Sequence, residues 1–227
     1  PVVAFGDSLE GDLSRRDFTV NAMALRVPQV TLVDPTGGVE DLLAGVLRTP
    51  IDPAVSFGDD PLRMLRAARF AAQLGFDVDD GTREAIERLR GTIEIVSAER
   101  VQSEIVRMMQ TADPVRGIRV LVETGLSDEF LPEIAAMKLE VDEHHHHKDV
   151  YEHSLTVLQQ AIDLEHERHP GAEPDVALRI AALLHDIGKP RTRKLEAGGA
   201  VTFHHHDVVG GRMARKRLQA LRFDTAT

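Results

Sequence analysis

The stretch DDPLRMLRAARF, residues 59–70, carries a helix start followed by a regular row of charged side chains. Asp60 can accept hydrogen bonds from free backbone N–H groups at a helix N-terminus, and Pro61 fits the first helical position. Gly75 is a typical helix end, because glycine readily adopts the left-handed conformation that terminates a helix. The sequence therefore predicts a helix that begins near Asp60 and ends near Leu74.

Four charged side chains in this helix follow one another at a constant spacing of three: Asp60, Arg63, Arg66 and Arg69. Because a helix turns by about 100° per residue, these side chains form a slanting stripe about 13 Å long. A stripe of that length suits a nucleotide, since Asp accepts and Arg donates hydrogen bonds at a base edge while further Arg residues bind phosphate. The alternative is that Asp60 only caps the helix and the Arg side chains form a solvated face.

Helical patterns extend from this stretch almost to the end of the chain. Capping residues and apolar periodicity predict further helices near 82–90, 97–110, 114–123, 150–168, 175–187 and 206–221. Upstream, approximate alternation over residues 18–33 predicts two short strands in a hairpin, interrupted at Pro28-Gln29. The turn at residues 34–38, DPTGG, ends this small sheet. The predicted fold class is therefore mainly α, with a small β remnant at the N-terminus.

Charge and histidine are divided unevenly along the chain. Residues 1–137 carry 14 Arg, no Lys and 23 acidic residues, a formal charge of −9. Residues 138–227 carry 13 basic and 14 acidic residues, a formal charge of −1. All 11 His lie between His144 and His206. This distribution predicts two modules with a boundary near residue 137, of which only the second uses imidazole chemistry.

The composition excludes several classes of protein. The 227 residues contain no Cys, which removes disulfides, thiolate metal sites and cysteine nucleophiles. A net charge of −10 argues against non-specific nucleic-acid binding, although Lys189–Arg222 holds nine basic residues against Glu196 and Asp207. No run approaches about 18 apolar residues and no leader pattern is present, so we expect no membrane partner and a cytoplasmic location. The chain opens at Pro1 without Met, and we expect it to be a fragment.

Three motifs follow one another in order over residues 12–70. The segment 12–22, DLSRRDFTVNA, resembles the RRDFTxNA motif of the CCA-adding tRNA nucleotidyltransferases and bacterial poly(A) polymerases. The segment 34–42, DPTGGVEDL, resembles that family's DPxGGxxDL hinge, the flexible element that lets one pocket change between two bases. Residues 59–70 resemble its EDxxRxxRxxRF nucleotide-reading motif, with Asp59 where Glu is usual. The ordered set is far more specific than any one motif.

The resemblance implies nucleotide-binding roles for seven residues: Arg16, Asp17, Asn21, Asp60, Arg63, Arg66 and Arg69. In the family, the Asp and the first Arg of the reading motif pair with the base of the incoming CTP or ATP, and here they are Asp60 and Arg63. Contacts to the nucleotide and its phosphates fall to Arg16, Arg66 and Arg69, while the remaining two residues support the site. The implied reaction is transfer of CMP or AMP to the 3′ end of tRNA or another RNA.

The family's head also carries a GGxxRD stretch and a DxD pair that binds two Mg²⁺ ions for nucleotidyl transfer. Nothing before Arg15 supplies either motif, and residues 77–79, DVD, follow a helical pattern without a Gly-rich strand before them. We therefore identify no catalytic residue in this sequence and expect no nucleotidyl transfer by this chain alone. The motifs that are present are shared by CCA addition and poly(A) addition and do not distinguish the two.

The second module carries histidines in a pattern of its own. His153 lies in VYEHSLTVL, His185 and Asp186 lie in AALLHDIGKP, and His206 lies in FHHHDVVGG. This pattern resembles the HD superfamily of metal-dependent phosphohydrolases. The resemblance implies that these four residues hold a divalent metal ion, since neutral imidazole and carboxylate groups suit such an ion. Lys189 and the basic stretch after it could hold a phosphate.

The other histidines are assigned lesser roles. Among the adjacent histidines 204–206, His206 matches the superfamily arrangement FxxHDxxG best. The run His144–His147 is interpreted as a solvated loop. The further Asp that the superfamily usually supplies downstream has no match here, because Asp224 lies too close to the C-terminal end.

The predicted organisation has three parts: residues 1–50 as the end of a nucleotidyltransferase head, 51–137 as a helical neck that reads nucleotide and binds RNA, and 138–227 as an incomplete HD domain. The main functional hypothesis is a tRNA nucleotidyltransferase. A second is an HD-type phosphohydrolase acting on phosphomonoesters or cyclic phosphodiesters, with the first half as a scaffold. A third is an inactive RNA-binding module that uses the basic segment Lys189–Arg222.

Overall fold

The computed structural model describes residues 8–138, 149–197 and 199–224, so the predicted loop at His144–His147 lies outside the described residues. The helices are α1 (Leu9–Ser14), α2 (Gly38–Ala44), α3 (Pro53–Asp59), α4 (Leu62–Leu74), α5 (Asp80–Leu89), α6 (Ala98–Met109), α7 (Pro114–Glu123), α8 (Pro132–Ala135), α9 (Val150–Arg168), α10 (Val176–Leu184), α11 (Lys189–Thr192) and α12 (His206–Ala220). The strands are β1 (Ala24–Arg26), β2 (Thr31–Val33), β3 (Val46–Leu47), β4 (Asp77–Val78), β5 (Lys194–Leu195) and β6 (Val201–Thr202). Within the described residues, no helix combines the length and apolar character needed to cross a membrane.

This inventory confirms the mainly α fold, and each predicted helix is present with ends that differ by a few residues. The sequence patterns do not predict α1 and α3, although both carry capping residues. Ser8 Oγ accepts a hydrogen bond from Gly11 N–H at 3.0 Å before α1. Asp52 Oδ1 accepts one from Ala54 N–H at 2.8 Å, and Pro53 opens α3. Both helices are too short for apolar periodicity to reveal them.

The N-terminal hairpin is confirmed, but its strands are shorter than the segment 18–33 that predicts them. β1 and β2 pair in antiparallel register, whereas Thr19–Asn21 forms a 3₁₀ turn. Thr19 fixes this turn, because its N–H donates to Arg48 O at 2.8 Å and its Oγ1 donates to Asp41 Oδ2 at 2.7 Å. The turn leaves the Phe18 side chain fully buried. Tertiary burial therefore overrides the strand propensity of this segment.

Helix α4 forms the centre of the first module, where it packs against α6 and α7. It ends at Gly75 with φ +71°, as the sequence predicts. α7 comes so close that a Cβ at Gly117 would lie 2.8 Å from the backbone oxygen of Ala68. On another side, Phe70 meets Phe18 edge to face with ring centroids 5.7 Å apart. Because α4 is packed from several sides, the positions at which its charged side chains reach solvent are fixed.

The two modules meet at a buried arginine side chain. Arg179 on α10 is completely buried, and its Nε donates to Glu165 Oε2 on α9 at 2.8 Å. Its Nη1 donates to the backbone oxygens of Met109 and Thr111, at 2.7 and 2.8 Å, at the C-terminal end of α6. Burial opposes ionisation of Glu165, but hydrogen bonds from Asp175 N–H and Arg179 outweigh it and lower the pKa of the carboxyl group. One guanidinium group thus joins the histidine-containing module to the helical neck.

Replacing Glu165 by Gln is expected to destabilise the chain by about 3–5 kcal/mol, because it leaves the buried Arg179 cation uncompensated. Urea denaturation at pH 7 measures this difference, with Glu167→Gln on the exposed face of the same helix as the matched control. Since the folded-state pKa of Glu165 is lowered, its contribution is complete above the ordinary Glu range and is lost as pH falls below it. Equal unfolding free energies for the two variants would contradict the role of the pair.

Candidate functional site

Asp17 and Arg66 form the centre of the first candidate site. Arg66 on α4 makes a two-pronged contact with Asp17 Oδ2, in which Nε lies at 2.8 Å. The other carboxylate oxygen of Asp17 accepts from Phe18 N–H at 2.9 Å and from Asn21 Nδ2 at 3.1 Å. The Asp17 carboxylate is largely buried, so the pair is shielded from water and is stronger than an exposed pair. Three of the predicted site residues therefore form one network that clamps residues 17–21 onto α4.

Arg63 lies one turn before Arg66 on α4, and its guanidinium group contacts α3 and the end of α1. Its Nη1 donates to Ser56 Oγ at 2.8 Å, and its Nη2 donates to Arg15 O at 2.5 Å. Asp60 lies between α3 and α4, and its Oδ1 accepts from Leu62 N–H at 3.2 Å as an N-terminal cap. The capping role and the site role of Asp60 are therefore compatible, because one oxygen is sufficient for the cap.

Arg100 on α6 is a residue that sequence reasoning missed. Its Nη2 contacts both carboxylate oxygens of Asp60, at 2.9 and 3.2 Å. The two residues are 40 positions apart, and no local sequence pattern connects them. Arg100 thus holds the orientation of the Asp60 carboxylate and neutralises its charge.

The structure does not bring Arg16 and Arg69 into this network. Arg16 is more than half exposed and pairs with Asp12 within α1 at 3.1 Å. Arg69 is 7% exposed, and its Nε contacts Glu104 Oε2 on α6 at 2.5 Å. The reason is geometric, because a spacing of three turns the stripe by about 120° between Arg63 and Arg69. The last Arg of the stripe therefore supports the packing of α4 on α6.

Residues 34–42, which resemble the family's hinge, form a turn and the start of α2. Asp34 accepts hydrogen bonds from the N–H groups of Gly38 and Val39, at 2.7 and 2.9 Å. The bond from Val39 is the main cause that lowers the pKa of the Asp34 carboxyl group. A Cβ at Gly38 would lie 2.2 Å from the backbone oxygen of Thr19, so only glycine fits there. The segment is thereby docked against the turn that carries the first candidate site.

The second candidate site gathers His153 from α9, His185 and Asp186 from the end of α10, and His206 from the start of α12. Ligand atoms of the first three residues all lie within 4.8 Å of one another. The Asp186 carboxylate, 2% exposed, is the centre: its Oδ2 lies 3.0 Å from His185 Nε2 and 3.6 Å from His153 Nε2. His206 Nε2 lies 3.6 Å from the other oxygen. All four predicted residues therefore come together.

Backbone carbonyl groups orient two of the imidazole rings. His185 Nδ1 lies 2.8 Å from Ala182 O, and His206 Nδ1 lies 2.8 Å from Phe203 O. A carbonyl oxygen can only accept, so Nδ1 of each ring carries a proton, and Nε2 is the nitrogen that faces the Asp186 carboxylate. This arrangement is the one that metal-ligating histidines commonly show. The residues present therefore fit a divalent cation.

Lys189 is the group that competes with such a cation. Its Nζ lies 2.6 Å from Asp186 Oδ2, the same oxygen that the imidazoles of His153 and His185 approach. The ammonium group neutralises the buried carboxylate. Lys189 and a divalent ion would therefore compete for this oxygen.

Replacing Lys189 by Met is expected to strengthen Mn²⁺ binding on the order of tenfold, because it frees Asp186 Oδ2 and removes a positive charge beside it. Isothermal titration calorimetry measures the dissociation constant. Lys194→Met removes the same charge from exposed strand β5 and is the matched control. If the two variants bind Mn²⁺ with the same affinity, Lys189 does not compete for the site.

Three family models match successive parts of the chain. Residues 1–48 match the poly(A) polymerase head domain. Residues 75–138 match the probable RNA and SrmB-binding site of polymerase A, and residues 150–227 match the HD domain. The match to the head domain includes Asp17 and Asn21 but not Arg66, and the match to the HD domain includes the histidine cluster.

Individual proteins are similar to the chain over nearly its whole length. The A-adding tRNA nucleotidyltransferase of Deinococcus radiodurans is 40% identical over 96% of this chain and 50% of its own length. A solved structure of a tRNA-processing enzyme with CTP covers 80% of this chain and 49% of its own, with 26% identity and a TM-score of 0.63. A tRNA nucleotidyltransferase complexed with a primer tRNA and an incoming ATP analog covers 80% and 50%, with 26% identity and a TM-score of 0.61. The chain spans about half the length of the curated relatives it matches.

Proposed function

Because the chain belongs to the family of tRNA nucleotidyltransferases and bacterial poly(A) polymerases, we propose that its first module selects the base of an incoming CTP or ATP for addition to the 3′ end of tRNA. The observation that carries the proposal is the position of Asp60 and Arg63 one helical turn apart at the start of α4, with Arg66 of the Asp17–Arg66 pair one turn further along. We also propose a cytoplasmic location for this chain.

The chemistry of the two side chains accounts for the choice of bases. Cytosine and adenine both present an exocyclic amino group, which donates hydrogen bonds, whereas uracil and guanine present a carbonyl oxygen in the corresponding position. The Asp60 carboxylate accepts from an amino group and repels a carbonyl oxygen. Arg63 donates to the neighbouring ring acceptor. A fixed Asp–Arg pair therefore favours CTP and ATP over UTP and GTP.

Hydrogen bonds from neighbouring residues hold the side chains of Asp60 and Arg63 in place. Arg100 holds the Asp60 carboxylate, and Ser56 together with the Arg15 carbonyl holds the Arg63 guanidinium. Residues whose orientation is fixed before binding lose less entropy when the ligand arrives. The printed sequence supplies no DxD pair upstream of Arg15, so base selection and not bond formation is assigned to these residues. Mg²⁺ would supply charge neutralisation in the transfer step, and no residue described here is assigned to hold it.

Replacing Arg63 by Gln is expected to weaken the binding of CTP and ATP by about tenfold or more, because a charged donor to the base is lost. Arg100→Gln is expected to narrow the preference for CTP and ATP over UTP and GTP, since the Asp60 carboxylate is no longer held. Fluorescence competition with the four nucleotides measures both effects. Arg107→Gln on the exposed face of α6 is the control and should change neither. Unchanged binding in the Arg63 variant would contradict the base-selection proposal.

The histidine cluster favours a second function, hydrolysis of phosphomonoesters or cyclic phosphodiesters by the HD module. The specific observation is the convergence of three imidazole Nε2 atoms on the buried Asp186 carboxylate. A divalent ion bound there would polarise the phosphoryl group and lower the pKa of a bound water. Lys189 would turn from Asp186 to a phosphate oxygen when the ion binds, because the ion takes its place as the counter-charge.

Replacing His185 by Ala is expected to abolish Mn²⁺-dependent hydrolysis of bis(p-nitrophenyl) phosphate, because it removes a ligand and uncovers Asp186. Release of p-nitrophenolate measures the rate. His169→Ala at the exposed C-terminal end of α9, outside the cluster, should keep the rate of the parent chain. Equal rates in the two variants would show that the cluster does not carry out this reaction.

A further inference from the structure

The helices α11 and α12 and the segment around strand β5 carry a group of six cations. Each is exposed, and among the residues that the structure describes none of them forms an ion pair. They are Arg191, Arg193, Lys194, Arg212, Arg215 and Lys216. By contrast, Arg83, Arg116 and Arg119 on the neck helices each contact a carboxylate at 2.7–2.9 Å.

Several of these cations share one surface. Arg191 and Lys216 line the same cavity of about 400 Å³ between α8, α11 and α12. Arg212 lies one helical turn before Lys216, about 6 Å along the axis, and therefore on the same face. Arg215 lies three positions after Arg212 and therefore neighbours it on the helix surface. We name Arg191, Arg212, Arg215 and Lys216 the basic surface.

The basic surface is built on a fixed support. Arg217 reaches back from α12 and makes a two-pronged contact with Glu133 on α8, at 2.9 Å for both Nε and Nη2. α11 and α12 also approach very closely, since a Cβ at Gly188 would lie 2.1 Å from the backbone oxygen of His206. The cations therefore stand at defined positions on packed helices.

A cluster of cations without an ion-pair partner in the described part of the chain is unexpected in a protein whose net charge is −10. Neighbouring positive charges repel one another, so such a surface costs free energy unless an anionic partner uses it. A polyanion with regularly spaced charges gains from each cation, because every contact releases a condensed counterion. We propose that the basic surface binds the phosphate backbone of RNA.

The helix geometry favours RNA over an anionic membrane. A helix that lies on a lipid surface needs an exposed apolar face beside its cations. On α12 the apolar side chains of Met213 and Leu218 pack against the protein core, and the single large apolar side chain that this helix exposes, Val208, does not form such a face. Between them the exposed positions are basic. This inference extends the proposed function, because it names the surface that holds the RNA. It rests on the proposed function only for the identity of the RNA partner.

The test replaces Arg212 and Lys216 together by Gln and measures binding of a fluorescently labelled RNA hairpin without a CCA end at several salt concentrations. We expect about tenfold weaker binding and a salt dependence reduced by about one power of the salt concentration for each cation removed. Arg26→Gln with Arg168→Gln removes two exposed cations elsewhere and is the matched control. It should leave affinity and salt dependence close to those of the parent chain.

Three outcomes would overturn the inference: the Arg212/Lys216 variant binds the hairpin like the parent chain, both double variants lose affinity equally, or the parent chain binds phosphatidylserine vesicles in place of the hairpin. CTP binding, measured on the same samples, separates this inference from the proposed base selection. Loss of hairpin binding with CTP binding intact supports the basic surface alone. If the chain binds no CTP but still binds the hairpin through Arg212 and Lys216, the proposed base selection is wrong. The RNA-binding role of the basic surface then still holds.

Discussion

The ion pair between Arg66 and Asp17 is the contact on which the first module depends. It joins α4, the most thoroughly packed helix, to the short turn at Thr19–Asn21 that follows α1. Without a countercharge, the largely buried Asp17 would carry the cost of a desolvated carboxylate. The same carboxylate also receives the N–H group of Phe18 and the Asn21 amide. A single charge pair therefore decides where the N-terminal segment meets the helix that carries Arg63.

The second module depends on a comparable buried ion pair, between Arg179 on α10 and Glu165 on α9. The Arg179 guanidinium donates to Glu165 and to carbonyl groups at the end of α6, so α10 is tied both to α9 and to the neck. α9 and α10 are also the helices that bring His153 and His185 together. A buried guanidinium thus stabilises the frame of the histidine cluster without touching it. In both modules, an ion pair that is largely shielded from solvent holds the helices that carry a neighbouring candidate site.

The sequence alone predicted the features that depend on local patterns. The start and end of α4 and the hairpin follow from capping residues and turns, and the grouping of three histidines around Asp186 follows from the resemblance to the HD superfamily. The sequence did not predict the positions of side chains that depend on packing between distant segments. Arg69 is a member of the charged stripe by spacing, yet the rotation of the helix carries it into the contact with Glu104, 35 residues away. The contact of Arg100 with Asp60 depends on how α6 lies across α4, and no pattern within either helix encodes that crossing.

The central claim is that CTP binds between the turn after α1 and the start of α4. Hydrogen–deuterium exchange of chain 1–227, with and without millimolar CTP, tests this claim most directly. The account predicts slower exchange in peptides that cover residues 15–22 and 56–66, and no change in α9 or α12. Protection confined to the HD module, or no protection at any CTP concentration, would contradict it.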